Sequence, residues 1–152
     1  MWKVALMKSK ISYIDISFLV HATEDQNKVL TAAKNILPRN YVDKISFSKS
    51  DLKGEYGNPI VFFKTQLREP EITEPLLTNI SLNLPAIDKE DLLRNLSLHL
   101  SGGSLYIRLD KQEAFKGRFK LCRADPIRVH IRFKTSKIEE IRKICQVIGL
   151  LP

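Results

Sequence analysis

The sequence has little of what metal centres, redox chemistry and membrane spans require. It contains two cysteines, Cys122 and Cys145, with no C-x-x-C pair, and three histidines, His21, His99 and His130, too scattered to suggest a ligand set. No metal site is expected, and a disulfide between the cysteines is disfavoured in a reducing compartment. No apolar run reaches membrane-spanning length, and the stretch Met1 to Lys10 is interrupted by Lys3 and too short for a secretory core. These features point to a cytoplasmic protein with no membrane partner. Ser101-Gly102-Gly103-Ser104 lacks the Lys-Ser or Lys-Thr of a phosphate-binding loop, so it reads as a helix stop rather than a nucleotide cradle. An acidic cluster or positioned histidine pair suited to hydrolysis is also missing. No cofactor is implied, and the chain reads as non-catalytic.

What is present is an ordinary core and an uneven charge. With 43% hydrophobic and 28% charged residues over 152 positions, the composition fits one globular domain spanning 1–152, its first ten residues a candidate frayed tail. Lysine and arginine outnumber aspartate and glutamate 25 to 17, a formal charge of +8. Residues 1–101 hold 13 basic and 12 acidic residues, whereas 102–152 hold 12 and 5. The basic excess is therefore concentrated in the last third, and it favours an anionic partner.

Hydrophobic periodicity predicts a strand over Ile11 to Val20 and a helix from about Glu24 to Leu37, opened by a capping box from Thr23 to Gln26. A short strand at Ile45 to Lys49 and the run Ile60 to Phe63 flank the turn-rich Gly54 to Pro59, which suggests a hairpin. Ile72 to Leu84 and Asp88 to Leu100 read as helices, the second capped by Asp88. Alternation then marks a strand at Leu105 to Leu109, a loop or short helix, and a final strand from Ile127 to Lys134. The apolar stripe Ile138, Ile141, Ile144, Cys145, Ile148 forms a last helix ending at Gly149. Helices interleaved with a probable hairpin give an α+β fold: a mixed, largely antiparallel sheet with helices packed on one face.

The final strand carries the chemistry. Alternation sends Ile127, Val129, Ile131 and Phe133 into the core and aligns Arg128, His130, Arg132 and Lys134 on the other side, about 7 Å apart. Repulsion along such a row is relieved when phosphates lie across it. Arginine grips a phosphate with a planar fork and lysine supplies a point charge. Tyr106 and Arg108 share the polar face of the preceding strand, with Tyr106 a candidate to stack on a base, and Lys116, Arg118, Lys120 and Arg123 lie nearby in sequence. His130 in this row would tighten binding as pH falls. The competing reading is a solvated face paired with Asp110, Glu113, Glu139 or Glu140, but these acids are too few to neutralise it. Asp110, Lys111 and Glu113 imitate a catalytic cluster, for which a solvated strand end is the simpler account.

Four segments carry a further signal: His21-Ala22-Thr23-Glu24-Asp25, Tyr56-Gly57-Asn58-Pro59-Ile60, Leu105 to Gln112, and Asp125-Pro126-Ile127-Arg128-Val129. In order and spacing the sequence resembles an archaeal RNA-binding family described as predicted exosome subunits, over roughly Ser12 to Ile148. The resemblance implies RNA as partner, exosome or ribosomal proteins as further candidates, and a fold similar to large-subunit ribosomal protein five. It assigns no residue a role. The alternative is a protein-interaction module whose basic face docks on an acidic partner of a processing complex or ribosome.

Overall fold

The computed structural model describes residues 10–152; the candidate frayed tail lies almost wholly outside the described residues. Six strands form one sheet: β1 (Ile11–His21), β2 (Ser48–Lys53), β3 (Pro59–Leu67), β4 (Leu100–Ser101), β5 (Ser104–Leu109) and β6 (Ile127–Phe133). Their spatial order is β2-β3-β1-β6-β5-β4, and all five pairings are antiparallel. Among the described residues six α-helices accompany them: α1 (Gln26–Lys34), α2 (Pro70–Asn83), α3 (Ala86–Arg94), α4 (Leu96–His99), α5 (Lys111–Phe115) and α6 (Ile138–Ile148), with a 3-10 turn at Val42–Lys44.

One face of the sheet supplies the core. Ile14, Ile16, Phe18 and Val20 of β1 join Ile127, Val129, Ile131 and Phe133 of β6 and Leu105, Ile107 and Leu109 of β5 in a single buried cluster. Val29, Ala32 and Ala33 of α1, Leu76, Leu77 and Ile80 of α2, and Ile141, Ile144 and Ile148 of α6 pack into that same cluster. The helices therefore cover one face, as an α+β reading requires. Among the described residues no helix packs on the other face.

Several boundaries differ from the sequence reading, each for a local reason. Asp25, not Thr23, caps α1: its backbone is extended (φ −78°, ψ 109°) and its carboxylate accepts from the Asn27 and Lys28 N–H groups. Helix α3 begins at Ala86, so Asp88 lies in its first turn rather than at the cap, and its carboxylate accepts from Leu121 N–H at 3.2 Å. The second predicted helix breaks at Asn95 into α3 and α4. Strand β2 lies at Ser48–Lys53 rather than at Ile45 to Lys49 and is exposed at every residue. Its backbone bonds to β3, not burial, fix it. The last helix ends as expected, with Gly149 in the left-handed region at φ 97°.

Candidate nucleic-acid interface

Cross-strand register turns the uncovered face into rows. In the first row Lys64 of β3 pairs with Ser17 of β1, Ser17 with Arg128 of β6, and Arg128 with Arg108 of β5. The second row runs Gln66, Asp15, His130, Tyr106, and the third contains Tyr13, Arg132 and Ser104. Directly opposed residues in an antiparallel pair share a face, so three cations of the first row point to the same side. Arg108 and Arg128 are like charges set opposite one another. Both guanidiniums lie over the Tyr106 ring, at 5.5 and 5.4 Å from its centroid, where the aromatic quadrupole offsets their repulsion.

The acids on this face are already committed. Asp15, buried at 6% exposure, accepts from Gln66 Nε2 at 2.9 Å and bonds His130 Nδ1 at 3.2 Å, with Lys64 Nζ at 3.8 Å. The other ring nitrogen of His130 meets Ser104 Oγ at 2.8 Å, and Arg132 Nη1 donates to the same hydroxyl at 3.3 Å. Tyr106 stacks on the imidazole at 4.7 Å between ring centroids, and Tyr13 meets it edge-on. The row residue His130 is thus a strut held on all sides, and Tyr106, covered on one face, supports two guanidiniums. Among the described residues, Arg108, Arg123, Arg128 and Arg132 make no ion pair.

The structure brings Tyr106, Arg108, Arg128, His130 and Arg132 together, with Lys134 just past the end of β6. It does not join Lys116, Arg118 or Lys120 to them by any contact among the described residues. Lys116 ends α5 beside Glu113 and shares a depression with Lys28 and Val29 of α1; Arg118 and Lys120 are exposed on the segment that returns to bridge Leu121 with Leu109. Lys64 and Ser17, from the nearly neutral part of the chain, were missed by the sequence reading. The signal for Lys64 was present, since alternation in β3 opposes it to the buried Phe63 and Thr65.

At one end of the face lies a pocket of about 320 Å³, lined by Arg108, Arg123 and Arg128 together with Leu19, Phe62 and Pro126. Beside it, Lys111 departs from the expected solvated strand end. Its side chain is only 10% exposed, and its ammonium donates to Leu19 O at 2.6 Å, to both Glu24 carboxylate oxygens at 3.0 and 3.2 Å, and to Asp125 Oδ2 at 2.8 Å. His21 Nε2 holds the second Asp125 oxygen at 3.1 Å. His21, Glu24 and Asp125 have ligand atoms within 4.8 Å of one another, a spacing a metal ion could use. The Lys111 ammonium is the cation the two carboxylates already share. Three of the four motif segments, those containing His21, Lys111 and Asp125, meet in this cluster; the fourth reaches it through the pairing of Ile60 with His21.

On the far side of Arg108 and Arg123 a second pocket of about 370 Å³ contains His99, Cys122 and Asp91. Burial, then the nearby Arg108 charge, lower the His99 pKa below 6.5, against a smaller opposing effect of Asp91. A histidine lowered in the folded state costs stability as pH falls through the unfolded value, because the unfolded chain takes up the proton first. We expect the melting-temperature advantage of the wild type over His99→Gln to shrink between about pH 7.5 and pH 5. A pH-independent difference in thermal scans would refute this. Both cysteines are free; burial pushes the Cys145 thiol up to about 12.

The sequence profile of a family described as RNA binding matches residues 13–133. The chain belongs to this family. It is 30% identical over 123 residues to an RNA-binding protein of Pyrococcus abyssi, covering 80% of this chain and 79% of that protein. An uncharacterized protein of Methanocaldococcus jannaschii is 31% identical over 142 residues, covering 88% and 95%. A crystal structure from Archaeoglobus fulgidus, of the family DUF54, superposes with a TM-score of 0.78 at 30% identity, covering 90% of this chain and all of that one. These relatives are archaeal, and the family is described as RNA binding. The chain is accordingly a non-catalytic RNA-binding protein of the archaeal α+β type.

Proposed function

We propose that this protein is a cytoplasmic accessory factor in RNA processing, degradation or ribosome assembly that holds RNA phosphates on its uncovered sheet face. One observation carries the reading. Arg108, Arg128 and Arg132 stand on a face with no helical cover and without carboxylate partners among the described residues, because Asp15 is spent on His130, Gln66 and Lys64. Arg128 and Arg132 supply forks at the centre of the face, Arg108 extends the row, and Lys134 continues it past β6. Tyr106 and His130 keep the guanidiniums in place. Exosome or ribosomal proteins are the partners we put forward, on the strength of the motif resemblance and the fold it implies, similar to large-subunit ribosomal protein five.

The test is a binding titration with short RNA across a range of salt. Neutralising about four phosphates gives a log-log slope of roughly −3 to −4. A slope near zero would reject phosphate contacts as the source of affinity. Recovery of the same partners from cells after thorough nuclease treatment would instead favour docking on an acidic protein.

A further inference from the structure

The pocket at the end of the sheet face differs from the rest of the basic surface in having an apolar wall. Alternation in β3 gives that face Lys64 and Gln66, and the next residue of that set is the aromatic Phe62. Its register partner across to β1 is Leu19, which precedes His21 on the same face. Pro126, leading into β6, adds to the apolar lining, and Arg108, Arg123 and Arg128 supply the basic lining. Asp125 is the carboxylate in the lining, and both its oxygens are held, by Lys111 and by His21. Three guanidiniums therefore line the cavity beside a single carboxylate, Asp125, that is already bonded at both oxygens.

A continuous duplex laid on the face would touch the rim of such a cavity and leave Phe62, Leu19 and Pro126 unused. The apolar wall contributes only to a group that enters. An aromatic wall facing a cluster of arginines is what an unpaired nucleotide requires, with a flat base on one side and a phosphate on the other. A volume of about 320 Å³ is at the small end of ligand pockets and admits one such unit rather than a run of them.

We propose that this pocket takes a single unpaired RNA nucleotide, its base against Phe62 and its phosphate between Arg108, Arg123 and Arg128, so that the protein prefers single-stranded or looped RNA over a continuous duplex. The inference rests on the reading of the sheet face as an RNA-binding surface. The loop that carries Arg123 and Pro126 is set by Asp125, whose φ of 50° places it in the left-handed region and whose carboxylate is pinned by Lys111. The pocket is therefore built before RNA arrives, which limits the ordering cost of binding.

The experiment compares a short single-stranded RNA carrying one 2-aminopurine with a blunt duplex of equal length, on wild type, Phe62→Ala and Phe62→Tyr. The wild type should bind the single strand more tightly and change its 2-aminopurine fluorescence on binding. Phe62→Ala should weaken the single strand about tenfold and leave the duplex within about twofold, and Phe62→Tyr should retain both affinity and fluorescence change. Melting curves on each variant separate a lost contact from a lost fold, and Arg123→Ala, at an exposed loop position, gives the same comparison without touching the sheet. Equal affinity for the two RNAs, or a Phe62→Ala and Arg123→Ala effect shared equally by both, overturns the pocket while a salt-dependent duplex interaction keeps the sheet-face reading. Absence of binding to either RNA overturns both.

Discussion

Replacing Arg128 and Arg132 together with alanine will weaken RNA binding by roughly ten- to thirtyfold at about 0.15 M salt and reduce the magnitude of the salt slope by about 1.4 to 1.8, since each phosphate contact contributes about 0.7 to 0.9. The fold will be indifferent. Both side chains are exposed, neither is in an ion pair among the described residues, and the single hydrogen bond lost is the 3.3 Å contact from Arg132 to Ser104. Removing Arg128 also relieves its repulsion with the directly opposed Arg108. Melting should therefore stay within about 0.5 kcal/mol of the wild type or rise slightly. Salt-titrated filter binding and thermal denaturation measured on one preparation give both numbers. An unchanged slope would place the phosphates elsewhere on the molecule.

This separation of binding from stability follows from alternation, the part of the structure most readable in the sequence. In β6 the buried set Ile127, Val129, Ile131, Phe133 and the outward set Arg128, His130, Arg132 are fixed by a period of two, and burial matches at every position. The same holds for β5 from Leu105 to Leu109 and for Ile141, Ile144, Cys145 and Ile148 of α6 with its terminal Gly149, whereas Ile138, first in that stripe, is exposed. Strand β2 was misplaced because all six of its residues are exposed, so no apolar pattern marks it. An edge strand is defined by backbone bonds to one neighbour, which leave no trace in hydrophobicity.

The face proposed to bind RNA was half legible for a related reason. Charge counting directs attention to the last third of the chain, but a sheet assembles its face from strands far apart in sequence. Lys64, Phe62, Leu19 and Ser17 come from the nearly neutral region and reach the arginines only through the pairing of β1 with β3 and β6. Lys116, Arg118 and Lys120 share the basic composition of Arg128 but lie outside the paired strands that carry it. His130 and Tyr106 illustrate a further step, since alternation places them on the face but cannot reveal that Asp15 and Ser104 engage both imidazole nitrogens.

Lys111 is where the sequence reading departs furthest from the structure, and its replacement by methionine should have the largest effect on stability. In sequence it sits between Asp110 and Glu113 and looks solvated. In the fold Asp110 is occupied in capping α5, through a bond from Glu113 N–H at 3.0 Å, and Lys111 turns inward to Leu19 O, Glu24 and Asp125. One ammonium thus joins the end of β1, the start of α1 and the loop before β6. Methionine preserves most of the apolar stem but leaves two carboxylates and a carbonyl oxygen without their shared donor. Loss of one partner from a buried ion pair costs about 3–5 kcal/mol; Glu24 and Asp125 retain 27% and 40% side-chain exposure, so we expect about 2–3 kcal/mol here. Arginine will not substitute well, because a planar fork cannot direct its donors to the three acceptors that meet a point charge in this slot. Releasing Asp125 also frees the loop bearing Arg123 and Pro126, so RNA affinity should fall together with stability, unlike the response to Arg128→Ala and Arg132→Ala. Adding Glu24→Gln and Asp125→Asn to Lys111→Met removes the unpaired charges and should recover part of the loss in urea denaturation. A Lys111→Met protein as stable as the wild type would show that the three segments are held by packing alone.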